Sequence, residues 1–174
     1  MHTIVFLMML SLLSVCVPER FDMKVVYDKK YTIVYSSDPA AAPGRIESIH
    51  DVLRERYEFI KPHSANETDL KLVHWKDHIN YVKRSKTLFQ VAKLAAGGAI
   101  KAAKLAMDGE PAFGLIRPPG HHASKNSSWG FCYFNNIAIA IEMLRHEGKI
   151  RKAFIIDIDL HFGDGTANIF ANTS

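Results

Sequence analysis

Apolar positions along this chain recur at helical spacing in some stretches and run together in short blocks in others, and the two patterns alternate. Residues 45–56 place Ile46, Ile49, Val52 and Leu53 on one face, which predicts an amphipathic helix. Residues 75–84 predict another, with Ile79 and Val82 inward. Residues 85–107 form a longer, alanine-rich helical pattern in which Gly97-Gly98 permits close packing or a kink, and Asp108-Gly109 ends it. A helix over 136–146 follows, with Gly148 as its stop. Short apolar runs predict strands at 24–27, 70–74, 113–116 and 153–160, while 62–69 is polar loop. The succession of strand 113–116, helix 136–146 and strand 153–160 makes a βαβ unit and hence a parallel sheet. Loops leaving the carboxyl ends of such strands are where ligands bind.

The first residues break this alternation. Residues 4–17 are apolar apart from serines and too short to span a bilayer comfortably. No Lys or Arg precedes them, and Ser14-Val15-Cys16 is a poor cleavage site, so the expectation is an apolar N-terminal extension over 1–22 rather than an export signal or anchor. The domain then opens at Met23. Composition adds little: 174 residues, 48% hydrophobic and 23% charged, suit one globular domain or part of one. The net charge of +4 is carried by scattered lysines, and no nucleic-acid motif accompanies it. Cys16 and Cys132 are too few for a disulfide framework, so a reducing, cytoplasmic setting is expected, with export or membrane association as the alternative if 4–17 acts as a signal.

Candidate chemistry concentrates in three segments. Asp157-Ile158-Asp159-Leu160-His161-Phe162-Gly163-Asp164-Gly165 ends an apolar run with three carboxylates and an imidazole. In a strand of period two, Asp157, Asp159 and His161 project to one side, where a carboxylate and an imidazole two residues on can reach one cation. Aspartates buried there without a partner would be very costly; the alternative is a strand-end turn with surface acids. Arg117-Pro118-Pro119-Gly120-His121-His122-Ala123 holds two adjacent histidines on a loop stiffened by prolines, which suits acid-base work but equally an exposed turn. Ser127-Ser128-Trp129-Gly130-Phe131-Cys132-Tyr133-Phe134-Asn135-Asn136 is an aromatic loop in which Tyr133 and Phe134 read as core, while Trp129 and Phe131 read as either core or slot wall. His50, His63, His74, His78 and His146 have no matching partners and read as surface or capping residues.

Taken in order, these segments resemble the zinc-dependent deacetylase superfamily, which contains class II-type histone deacetylases and acetylpolyamine amidohydrolases. The 117–123 segment is similar to its paired-histidine motif, 130–136 to its channel-wall motif and 157–165 to its metal-binding motif. Asp38-Pro39-Ala40-Ala41-Ala42-Pro43-Gly44-Arg45-Ile46 resembles a looser form of its entry segment. The resemblance implies an α/β fold of three layers, αβα, around a mainly parallel sheet of arginase and deacetylase type, with residues 23–174 its N-terminal half. It implies Asp159 and His161 as metal ligands, His121 and His122 as the acid-base pair, and Asp157 and Asp164 as the carboxylates that orient them. It also implies Gly130 and Phe131 as substrate-channel residues. Zinc is the implied metal, with iron(II) or cobalt open and a monovalent cation near Asp157, Asp159 and His161.

The implied reaction is hydrolysis of an acetyl amide, in proteins at acetyl-lysine or in acetylated polyamines. Family domains run to roughly twice this length, and the later half carries a third ligand, a carbonyl-polarising residue and a second tunnel wall. A truncated, catalytically impaired chain is therefore expected, or a silent fragment acting through association. The partners left open are a homo-oligomer and a complementary C-terminal chain. A metallophosphoesterase needs a later Asn-His pair that is lacking here, and a dimanganese arginase motif has an aspartate where Gly163 stands.

Overall fold

The computed structural model of the protein describes residues 23–171 and a two-residue strand at Val5–Phe6. Three strands form a parallel sheet: β2 (Lys24–Val26) lies between β3 (Glu58–Ile60) and β4 (Ala112–Gly114), with Val25 opposite both Phe59 and Phe113. A separate antiparallel pair joins β1 (Val5–Phe6) to β5 (Ile156–Asp157). The remaining residues of the expected N-terminal extension lie outside the described residues. Among the described residues six α-helices accompany the sheets: α1 (Arg45–Leu53), α2 (Glu67–Lys71), α3 (Lys76–Lys83), α4 (Lys86–Met107), α5 (Asn136–His146) and α6 (Asp164–Phe170). A parallel sheet whose strands are joined through helices is the α/β arrangement.

Helix α4 is the pivot, because its small residues let two cores share it. Val91, Leu94 and Ala95 pack with Val25, Ile46 and Leu115 in the sheet core. Ala92, Ala96, Ile100 and Ala103 pack with Leu70, Ile79, Phe134, Ile139 and Leu144 in a core between helices. Gly97 is demanded by contact: a Cβ there would lie 1.9 Å from the His63 carbonyl oxygen.

Four sequence expectations are corrected. Val52 is exposed, because at 100° per residue it lies well round the helix from the arc that Ile46, Ile49 and Leu53 bury. Leu70 and Lys71 are helical rather than strand: the Asn66 side chain accepts from the Asp69 amide while Asp69 accepts from the Asn66 amide, a capping box that starts α2 within the expected loop. The strand that flanks β2 opposite β4 is instead β3, just after α1. Finally, β5 does not pair with β4, so the βαβ unit does not close. An apolar run specifies a strand but not its neighbour. Here Asp157 is tethered to His121, and α6 packs on the backbone of residues 121–123, which sets β5 beside β1. One side of that segment is left in solvent, with Phe154, Leu160 and Phe162 each more than three-quarters exposed.

Candidate active site

The loop after β4 is held from behind by Arg117. Its side chain is buried and donates from Nε to the Tyr31 carbonyl and from Nη1 to the Ala42 carbonyl at 2.8 Å, tying this loop to the 38–42 segment. Gly120 follows because a Cβ there would stand 2.5 Å from the Phe134 carbonyl oxygen and 2.7 Å from the Asn136 nitrogen. His121 and His122 are consequently carried inward, both buried. Each finds a carboxylate across the site: His121 Nδ1 donates to Asp157 Oδ2 at 2.8 Å, and His122 Nδ1 to Asp164 Oδ1 at 2.6 Å. A proton held on Nδ1 in this way leaves the Nε2 lone pair free. Helix α6 closes the arrangement, since Thr166 N donates to the His121 carbonyl at 3.0 Å and a Cβ on Gly165 would strike the His122 and Ala123 backbone.

Asp159 and His161 sit beside this pair. The Asp159 side chain is almost wholly covered, and its Oδ1 accepts from the His161 amide at 2.7 Å. That oxygen lies 3.1 Å from His161 Nδ1 and 3.9 Å from His121 Nε2. Two donors that each stand 2.0–2.1 Å from a tetrahedral ion lie about 3.3 Å apart, so the 3.1 Å separation fits a shared metal. Among the described residues no third His, Cys, Asp or Glu joins them into a metal-holding group. Asp157 contributes at one remove: one oxygen holds His121, and the other accepts the Asp159 amide at 3.0 Å.

His121, His122, Trp129, Phe131, Asp159 and His161 meet at a cavity of about 720 Å³, whose remaining walls include Phe113, Ile137 and Ala140. Gly130 has φ +56°, and a Cβ there would come within 2.4 Å of His122 Cδ2. Phe131 also has a positive φ, 66°, an uncommon conformation for a bulky residue, and is partly exposed in the cavity wall. Phe134 is core and Tyr133 packs at its edge.

Residues 40–174 match the family model of the histone deacetylase domain. This chain belongs to the histone deacetylase family. Among its relatives, a probable deacetylase of Archaeoglobus fulgidus is 35% identical over 161 residues, covering 83% of this chain and 43% of that protein. The polyamine deacetylase HDAC10 of Rattus norvegicus is 32% identical over 156 residues, covering 74% of this chain and 26% of that protein. The crystal structure of the HDA15 HD domain superposes with a TM-score of 0.78 at 25% identity, covering 87% of this chain and 51% of that one. The chain thus spans less than half the length of the curated relatives it matches.

In this histone deacetylase family member the aromatic loop is strapped by two histidines that the sequence suggests as surface or capping residues. His74 and His78 are buried. His74 Nδ1 donates to the Ser124 carbonyl at 2.8 Å while its Nε2 accepts the Asn135 amide at 2.9 Å, so one imidazole spans both ends of the loop. His78 Nε2 donates to the Tyr133 carbonyl at 2.7 Å. For His78 the signal lies in spacing, since it shares an arc with Ile79 and Val82 at helical intervals. Burial, reinforced by the charge of neighbouring His78, pushes the His74 pKa down to about 3 against the carbonyl bonds that raise it. Burial also lowers His78, opposed by the Tyr133 carbonyl.

The linkage has a definite sign. Below pH 6.5 the unfolded chain takes up a proton at position 74 that the folded chain refuses until about pH 3, so stability is full above that window and falls as the pH drops through it. The slope is about 1.4 kcal/mol per pH unit for one such group. Urea unfolding between pH 5 and 8 should show this slope reduced in His74→Asn; parallel curves for the two proteins would contradict it.

Proposed function

We propose that this chain supplies the proton-handling and metal-holding part of a metal-dependent amide hydrolase that removes acetyl groups from amines, at acetyl-lysine in proteins or in acetylated polyamines. The observation that carries this reading is the pair of His–Asp hydrogen bonds beside Asp159 and His161 in the wall of an apolar cavity. Acyl transfer to water needs a group to take a proton and return it, and His122, with Nδ1 committed to Asp164, has Nε2 available for both. The proton leaves water as its oxygen bonds to the acyl carbon, and goes to the amine nitrogen as the carbon–nitrogen bond breaks. His121, held by Asp157, lies against His122 with ring centroids 4.0 Å apart and steadies the developing charge. Asp159 and His161 would hold a zinc ion, or iron(II) or cobalt; when bound, it polarises the amide carbonyl and acidifies water. Gly130 and Phe131 would line the path of the acylated chain.

Two side-chain donors are fewer than the three that catalytic zinc sites use. The reading therefore includes a further segment or a complementary C-terminal chain, and two features support it. The side of residues 154–162 carrying Phe154, Ile158, Leu160 and Phe162 is exposed, and the matched segments cover only 38% and 43% of two relatives named probable deacetylases. The test measures acetate release from an acetyl-lysine peptide and from an acetylated diamine, with zinc and with chelator, for this chain alone and mixed with the C-terminal half of a relative. The expected result is low turnover alone, chelator-sensitive turnover when mixed, and preference for one substrate. No acetate release from any mixture, with complex formation demonstrated, would overturn the reading.

A further inference from the structure

Trp129 lines the cavity, one of the two alternatives that its position in the aromatic loop suggests, and it also engages His122 and Asp164. Its indole ring stacks on His122 with centroids 3.9 Å apart and planes 29° apart. Its Nε1 donates at 2.8 Å to Asp164 Oδ2, while Asp164 Oδ1 accepts His122 Nδ1 at 2.6 Å. Both oxygens of one carboxylate are thus engaged, and both donors come from the same loop region. The Asp164 side chain is nearly half exposed, so without the indole its second oxygen would turn to water and its plane would no longer be set. Burial raises the Asp164 pKa, but the His122 and Trp129 hydrogen bonds outweigh it and hold the carboxyl below its usual range. His122 is enclosed by the indole, the His121 ring at 4.0 Å and the Gly130 backbone.

We propose that Trp129 is a positioning residue for His122: by stacking on the imidazole and clamping Asp164, it locks one ring orientation and one tautomer, with the proton on Nδ1 and Nε2 open to the cavity. This rests on the assignment of His122 as the proton shuttle. The indole acts as the outer wall of the His122–Asp164 hydrogen bond, shielding it from solvent. A hydrogen-bonded partner fixes a histidine tautomer, and at metal sites losing such an outer partner typically costs about 10- to 100-fold in function.

The test uses the 174-residue chain, with ¹⁵N-labelled histidine and spectra recorded above pH 8, where a free imidazole is neutral. In the unaltered protein His122 should show an Nδ1-protonated pattern with a slowly exchanging Nδ1 proton. In Trp129→Ala that proton should exchange faster by at least about tenfold and the ring nitrogens should report mixed tautomers. Trp129→Phe keeps a ring face but no donor, and should fall between the two. Circular dichroism identical across all three proteins keeps the comparison free of unfolding, which the exposure of Trp129 makes a small risk. Unchanged tautomer and exchange in Trp129→Ala would overturn the proposal. Turnover in the mixture with a C-terminal half separates the two readings. A kcat lowered about tenfold with KM unchanged supports positioning in catalysis. An altered tautomer in a mixture that never releases acetate keeps the positioning and removes the hydrolase reading.

Discussion

Replacing His122 with alanine should depress turnover at least about a hundredfold in any form of this chain that releases acetate, while bound metal stays in place. The imidazole that would carry the proton does not touch the donor pair through a hydrogen bond: its Nδ1 goes to Asp164, and Asp159 and His161 are bonded to one another. Removing it deletes the proton path and leaves the pair intact. Asp164→Asn should act in the same direction more mildly, because an amide can still accept from Nδ1 but no longer offsets the charge that His122 gains. Metal content measured alongside the rate makes the result decisive. A His122→Ala protein with full metal and near-normal kcat would transfer the role to His121 or to water.

Asp159→Ala and His161→Ala should each remove most zinc binding. With only two side-chain donors in reach of one another among the described residues, neither substitution leaves more than one, and a single donor does not compete with water for the ion. Zinc titration by calorimetry, with a competing chelator to set the scale, should show a saturable site in the unaltered chain and none in either variant. Asp157→Ala is the control with a different signature. Its oxygens hold His121 and the Asp159 amide, so it should weaken binding through the orientation of Asp159 without abolishing it. Unchanged affinity and stoichiometry in both ligand variants would place the metal elsewhere.

The elements that sequence reasoning located well are those where local chemistry and burial agree. Ser85 caps α4, Asn135 caps α5, and the glycines at 109 and 148 follow these helices in left-handed conformations, so their boundaries were legible from residue types alone. The histidine pairings with Asp157 and Asp164 came from resemblance, since nothing local brings residues 36 and 42 positions apart together. His74 escaped notice because a lone histidine before a helix looks like a cap. Its function as a strap depends on backbone groups 50 and 61 residues away.

By itself the sequence determined which residue types stand together: carboxylates and an imidazole at alternate positions, two histidines behind a rigid proline pair, and aromatics around a glycine. These are properties of residue types at short spacing, and short spacing survives any fold. Tertiary structure alone decided which strand neighbours which, because an apolar run satisfies its hydrogen bonds equally well beside any partner and only distant tethers choose among them. It alone gave Trp129, a residue of the cavity wall, its hold on Asp164, since the indole's partners, His122 and Asp164, lie seven residues before it and 35 after. It also turned one side of residues 154–162 outward, where hydrophobicity predicted burial, because burial requires another surface to pack against.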